Sequence, residues 1–230
     1  MPATTRAENR VEVTRSIQAT ARRHLAEVGP AALSLRAIAR EVGMVSSAVY
    51  RYFPSRDDLL TALIVEAYDE LGDAVEAADR TLSERTDLTG RFAAISYALR
   101  GWARTHPHEY ALLYGSPVPG YAAPVDTVTS AMRIPTAYLA VVADAQVVGL
   151  HPPATTEPDP EEAAAIAPVL AMTDPALEPA AGLRALIVWA TLFGQLSLEL
   201  FGHLHHGVLD FDAHFDRVVA QLCVDLGLAA

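Results

Sequence analysis

Residues 34–59 constrain this chain more than any other stretch, because they read as two short helices joined by a glycine turn. Ser34 offers a hydroxyl to the unpaired amides of a helix start. Leu35, Ile38, Ala39 and Val42 follow at i, i+3, i+4 and i+7, the spacing of one apolar helical face. Gly43 stands where the chain must turn through a left-handed residue, a conformation that costs glycine no Cβ clash. A second helix is predicted over residues 45–52. It turns Val49 and Phe53 inward and leaves Ser46, Ser47, Tyr50 and Arg51 outward. In helix pairs of this kind that read DNA, the second helix lies in the major groove.

Charge is distributed in a way that supports this reading. The net charge is −11, which is wrong for a general nucleic-acid coat. Residues 1–60 nevertheless carry nine arginines against six acids, a balance of +3, while the other 170 residues carry eight arginines against 22 acids, a balance of −14. Positive charge is thus gathered where phosphate contacts would form, and the remainder would be repelled by DNA. The chain has no lysine, and its single cysteine, Cys223, excludes an internal disulfide. No apolar run of roughly 18 residues is free of charge. The nearest, Leu183–Leu204, holds Arg184, Gln195 and Glu199 and reads as a buried or interface helix. No apolar signal segment opens the chain, and a cytoplasmic location is expected.

The pattern along the chain is helical throughout. Residues 1–10 read as a disordered tail. Val13, Ile17, Ala21, Leu25 and Val28 mark a first helix stopped by Gly29-Pro30, and Asp57 to Val75 a long helix whose acidic start suits the helix dipole. Further helices are predicted over 91–105, 110–114, 124–148 with a kink at Pro135, 160–172, 180–204 and 211–226, with a flexible loop over 151–160. No strand alternation and no repeat is visible. The expected fold is all-α, with an N-terminal three-helix helix-turn-helix DNA-binding head (11–56) and a larger helical ligand-binding and dimerisation body (57–230).

Ser34–Arg40, Gly43 and the run Ala48-Val49-Tyr50-Arg51-Tyr52-Phe53-Pro54-Ser55-Arg56-Asp57-Asp58-Leu59 together resemble the N-terminal domain of the TetR family of bacterial transcriptional regulators. The family usually has serine two residues after the turn glycine. Val45 stands there, and Ser46 is the capping candidate one residue later. The resemblance implies that Tyr50 reaches the DNA backbone and that Arg56 grips a phosphate. By their own chemistry, Ser46 and Ser47 can approach base edges, Arg51 can reach a guanine or a phosphate, and Ser34 can offer its hydroxyl to a phosphate. Arg36 and Tyr52 complete the expected DNA-binding set.

The run Arg100-Gly101-Trp102-Ala103-Arg104 through Tyr121 resembles the start of the WHG-type C-terminal domain of some TetR regulators, in which Trp189 and Gly194 also fit and Phe193 replaces the histidine. Such a body implies a small-molecule effector. Tyr97, Trp102, Tyr110, Met132, Tyr138, Trp189 and Phe193 are the candidate pocket wall for a mostly apolar or aromatic, neutral or cationic compound. A homodimer is expected through the last two helices, with Leu186, Ala190, Gly194 and Ser197 on one and Phe211, Phe215, Val218, Leu222 and Leu226 on the other. The whole then reads as a dimeric repressor released from a palindromic double-stranded operator by its effector, with no membrane partner.

Two other classes compete. One is a TetR-fold interaction protein that does not bind DNA, against which the intact Tyr50–Arg56 segment counts. The other is a small-molecule-binding enzyme using the body cavity. No Gly-x-Ser-x-Gly, phosphate loop, His-Glu-x-x-His or Cys-x-x-Cys pattern supports that reading. No cofactor is implied. His203, His205 and His206 sit between Gly202 and Gly207 at a helix end, where the dipole alone favours histidine, and no metal is expected there.

Overall fold

The computed structural model describes residues 6–153 and 158–229. Among these the chain forms eleven α-helices and no strand. They are α1 (Arg6–Val28), α2 (Leu35–Glu41), α3 (Ser46–Val49), α4 (Arg56–Thr81), α5 (Leu88–Thr105), α6 (Pro107–Tyr114), α7 (Asp126–Val147), α8 (Pro160–Ala165), α9 (Ala167–Leu170), α10 (Pro179–Leu200) and α11 (Phe211–Asp225). The helix starts follow their caps. α5 begins three residues before the apolar pattern does, because Asp87 accepts the Gly90 amide at 2.8 Å. α1 begins at Arg6, so residues 6–10 are helical and not a disordered tail, while residues 1–5 lie outside the described part. Pro135 sits inside α7.

The chain gathers into two compact units and passes between them inside α4, between α5 and α6, and inside α7. The first holds the residues up to Asp69 together with His106–Ser130. Its core is built from Ile17 and Ala21 of α1, Ile38 and Ala39 of α2, Val49 of α3, and Leu59, Leu60 and Leu63 of α4. Leu112, Val118 and Tyr121 pack onto that core, and the Tyr121 hydroxyl lies 2.9 Å from Thr61 Oγ1. α1 is further tied to α4 where Arg22 and Gln18 both reach the Glu66 carboxylate. Each buried Leu or Ile contributes about 1.5–3 kcal/mol.

The second unit comprises Glu70–Thr105 and the chain from Ala131 onward, with α5 packed between α10 and α11. Phe92, Ile95, Leu99 and Trp102 face inward as their spacing predicts. Two arginines are buried with them. Arg91, 2% exposed, reaches Asp79 of α4 at 2.8 Å and also pairs with Asp144 of α7. Arg100 forks onto Glu199 of α10, pairs with Asp212 of α11 at 2.8 Å and lies over the Phe215 ring. α10 is long and apolar enough to cross a membrane by length and composition. Yet one stripe of it (Ala181, Ala185, Val188, Leu192, Leu196) is packed inside the unit, and its Glu199 is held by Arg100.

Burial alone would raise the Asp79 carboxyl, but hydrogen bonds from Arg91 and Arg85 overcome this and hold it below its ordinary value. The stability that Asp79 contributes is therefore complete above a pH of about 4 and is lost as pH falls through its depressed folded value. Arg91→Met should cost about 3 kcal/mol at neutral pH, because it strips a partner from a half-buried carboxylate. It should also flatten the acid limb of the stability curve, and urea unfolding at pH 7 and pH 3 measures both.

Candidate nucleic-acid interface and body cavity

The helix pair closes as the sequence predicts. The Ser34 side chain accepts the Ala37 amide, and Leu35, Ile38 and Ala39 form the buried face of α2. Gly43 has φ +71, and a Cβ there would meet nothing within 4 Å, so backbone conformation and not space selects glycine. The turn is sealed where the Met44 amide reaches the Ala39 carbonyl at 2.8 Å.

α3 is shorter than the predicted 45–52. It spans Ser46–Val49 and tightens into a turn in which the Tyr52 and Phe53 amides both bond the Val49 carbonyl. Two causes are local. Val45 occupies the N-cap and has no side-chain acceptor, and Ser46 is the first helical residue, not the cap. Pro54 disfavours helical backbone at Phe53. Val49 and Phe53 are buried, while Ser46, Ser47, Tyr50 and Arg51 are exposed on one outward face, and Arg36 is exposed on α2. Tyr52 is half-buried and Ser34 is exposed while capping.

Arg56 stands apart from the expected set. Its Nη2 donates to the carbonyls of Pro30 at 2.7 Å and Ala31 at 3.3 Å, and its Nη1 lies 3.5 Å from Asp57. The guanidinium thus closes the 3₁₀ turn Pro30–Ala32 onto the start of α4 through Nη2. A residue that sequence reasoning missed takes a place beside α3. Arg10 of α1 lies over the Tyr52 ring at 5.2 Å and donates to the Arg51 carbonyl at 3.4 Å. With Asn9, Met44 and Ala48 these residues line a polar groove. The signal available was Glu8, an acid suited to a helix first turn upstream of the apolar pattern.

In the second unit an apolar cavity of about 90 Å³ lies among Pro135, Tyr138 and Leu139 of α7, Val169 of α9, Met172, and Ala185, Leu186 and Trp189 of α10. The sequence places Tyr138 and Trp189 in a pocket wall, and Leu186 in a dimer seam. The Tyr138 hydroxyl donates to the Ala185 carbonyl at 3.0 Å, and burial pushes its pKa up. Trp189 stacks between Tyr138 and Phe193, so Phe193 is one ring removed from the cavity. Trp102, Met132 and Tyr97 also lie outside the lining, and Tyr110 belongs to the first unit, where it packs on Tyr114. Tyr97 is a surface residue whose hydroxyl donates to Asp216 at 2.6 Å; that bond first, then burial, push its phenol up to about 12. No acid lines the cavity, so the expected cationic option has no counter-charge there.

On the last two helices the expected seam divides. Phe215, Leu222 and Leu226 are 0–2% exposed and spend their surface inside the unit. Phe211 and Val218 are half-buried. Ala190 and Gly194 are exposed on α10, Ser197 is partly so, and Ile187, Leu198 and Phe201 join them as exposed apolar side chains. The histidine cluster lies in the turn after α10, where the His205 ring packs edge-on against Phe211.

Residues 17–63 match the family described as bacterial regulatory proteins, tetR family, and residues 92–222 match the tetracyclin repressor-like C-terminal domain. The chain is 39% identical over 227 residues to the HTH-type transcriptional regulators Rv1816 of Mycobacterium tuberculosis and Mb1846 of Mycobacterium bovis, covering 94% of this chain and 95% of each of those. Among solved structures it resembles the regulatory protein SCO4313, with 33% identity, a TM-score of 0.77 and coverage of 95% of this chain and 98% of that one. It also resembles a protein from Rhodococcus sp. RHA1, with 26% identity, a TM-score of 0.69 and coverage of 91% and 93%.

The geometry of Arg56 makes a distinct prediction. Arg56→Ala should destabilise the first unit by about 1.5–3 kcal/mol, the range for hydrogen bonds from a charged donor. Thermal melting and amide exchange at residues 29–34 should register that loss, and a variant as stable as the parent would reassign Arg56 to an external partner.

Proposed function

The chain belongs to the TetR family of bacterial regulatory proteins, and from that premise we propose that it is a homodimeric, DNA-binding transcriptional repressor released from a palindromic operator by a small molecule held in its second unit. The observation that carries the DNA reading is the outward face of α3. Ser46, Ser47, Tyr50 and Arg51 are exposed together on a turn anchored by Val49 and Phe53. Hydroxyl and guanidinium donors of this kind suit phosphate oxygens and base edges. Exposed Arg10, Arg36 and Arg40 surround them with positive charge. The curated relatives, named as HTH-type transcriptional regulators over nearly their whole length, support the same reading.

Dimerisation is assigned to the exposed stripe of α10. Ile187, Ala190, Thr191, Gly194, Leu198 and Phe201 recur at helical spacing on its outer face. Small residues at its centre permit close approach of a second copy. A two-fold dimer would set two α3 helices about 34–36 Å apart, in successive major grooves.

The effector signal would run through α7 and α4. α7 lines the cavity with Pro135, Tyr138 and Leu139, and two residues before Pro135 its Arg133 reaches Asp73 at 2.6 Å and Glu76 at 2.8 Å on α4. α4 in turn supplies Leu59, Leu60 and Leu63 to the core beneath α3. In this reading a displacement of α7 would bear on α4, whose residues belong to both units. Its size is bounded by the effector's differential affinity for the two states.

Tyr50→Phe combined with Arg51→Ala should weaken binding to all DNA sequences and lower the salt slope of log K by about one unit for each phosphate that is no longer neutralised. An unchanged slope would remove α3 from the interface. Leu198→Arg should give a folded monomer, since a charge on an exposed face costs the fold little but is desolvated in a seam. Sedimentation reads this directly, and a monomeric parent at micromolar concentration would end the dimer assignment.

A further inference from the structure

We propose that the cavity beneath α9 is the effector site, that it selects neutral, ring-sized apolar molecules against charged ones, and that the α8–α9 strap is its door. This deepens the ligand-responsive reading above and rests on it.

The selectivity follows from what the wall lacks. Its side chains are hydrocarbon, aromatic or thioether, and none is titratable near neutral pH. The Tyr138 hydroxyl is already committed to the Ala185 carbonyl. A carboxylate or ammonium entering here would give up its hydration for no partner, whereas a neutral ring would exchange water for the faces of Trp189 and Tyr138. The second unit is rich in carboxylates, yet none of them reaches this wall, so its acidity does not recruit a cation to the site.

Size points to a moving part. An enclosed apolar cavity of about 150 Å³ accepts benzene; this one is half open to the surface and measures about 90 Å³, so a ring would sit partly in its mouth unless a wall side chain yields. Met172 is the side chain that can yield. It is unbranched, with three rotatable bonds, and it sits half-exposed at the edge of the wall. Withdrawing it opens room for one ring without disturbing α7 or α10.

The strap that carries Val169 and Met172 is weakly held. No residue of α8 or α9 is buried. Its own hydrogen bonds keep its shape: Asp159 and Glu162 form a capping box at its start, and the Leu177 amide bonds the Leu170 carbonyl at its end. Leu177 at its end is buried, and polar and packing contacts to α7 and α10 hold the strap besides. The Gln146 amide of α7 donates to the Ala176 carbonyl and accepts the Glu178 amide. Leu170 sits against Gly182 of α10, where a Cβ would lie 2.1 Å from its Cδ2. A segment with internal order but little buried surface opens at low cost and as one piece.

The test uses the full-length protein without DNA. Toluene, indole and naphthalene are titrated calorimetrically against benzoate and benzylammonium. The neutral rings should bind, and the charged compounds should bind about 100-fold more weakly or not at all. Ala185→Leu, which fills the cavity, should abolish binding, and Leu186→Phe, at a half-exposed wall position, provides the same block if the first variant fails to fold. Gly182→Ala should push Leu170 off its seat, speeding amide exchange over residues 166–172 and the association of indole while leaving the melting temperature and oligomeric state nearly unchanged. Failure of all three neutral rings to bind, equal binding of charged and neutral compounds, or undiminished binding in a folded cavity-filled variant would overturn the site. Unaltered exchange and association in Gly182→Ala would overturn the door. Operator release is measured separately. Neutral rings that bind as described but leave DNA affinity unchanged would uphold the cavity as a neutral-ring site while rejecting the ligand-responsive function.

Discussion

A helix of one turn cannot stabilise itself. Nucleating the first turn fixes several dihedrals for one hydrogen bond, and helices much longer than α3 are marginal in water. α3 is four residues long and lacks an N-cap acceptor. It exists because Val49 and Phe53 are buried in a core shared with α1, α2 and α4. The exposed side chains of Ser46, Ser47, Tyr50 and Arg51 inherit their geometry from that burial. Other features of the first unit serve to fix this small platform. Gly43 reverses the chain into α3, Arg56 locks the turn before α2 to the start of α4, and Arg10 braces the end of α3.

The second unit meets a different constraint. Its helices must bury apolar stripes, and α5 carries two arginines into the same interior. Desolvating a guanidinium is costly, and removing one of its partners would leave an uncompensated charge. Each arginine therefore collects two carboxylates from two different helices, Arg91 from α4 and α7 and Arg100 from α10 and α11. The demand for partners fixes the register of four helices against α5. Apolar side chains alone would tolerate sliding more readily, because dispersion and burial have no direction.

What could be read from the sequence follows the range of the interactions. The glycine turn, the inward Val49 and Phe53 and the stripe of α5 depend on neighbours within a turn or two, and periodicity exposed them. The early start of α5 also depended on local chemistry, through Asp87, but the apolar pattern masked it. Arg56 is different in kind. Its partners, the carbonyls of Pro30 and Ala31, lie 26 and 25 residues away, and no spacing rule announces a backbone acceptor. The seam on α11 shows the same limit. Phe215, Val218, Leu222 and Leu226 form an apolar stripe, but periodicity cannot say whether a stripe meets its own chain or another one. Here α5 and α10 of the same chain share that stripe, and Arg100 lies over the ring of Phe215.

The cavity adds a lesson about charge. A balance of −14 over the last 170 residues suggests an environment that welcomes cations, and abundant aromatic rings make cation–π contacts available. Net charge, however, acts through the surface, where carboxylates keep their water or pair with arginines such as Arg104 and Arg133. A binding site responds to the few atoms that replace the hydration shell of its occupant. In this protein those atoms come from α7, α9 and α10, which present carbon to one another because they were selected to pack. The preference of the site is therefore set by helix packing, and the acidity of the unit bears on what approaches it rather than on what it can hold.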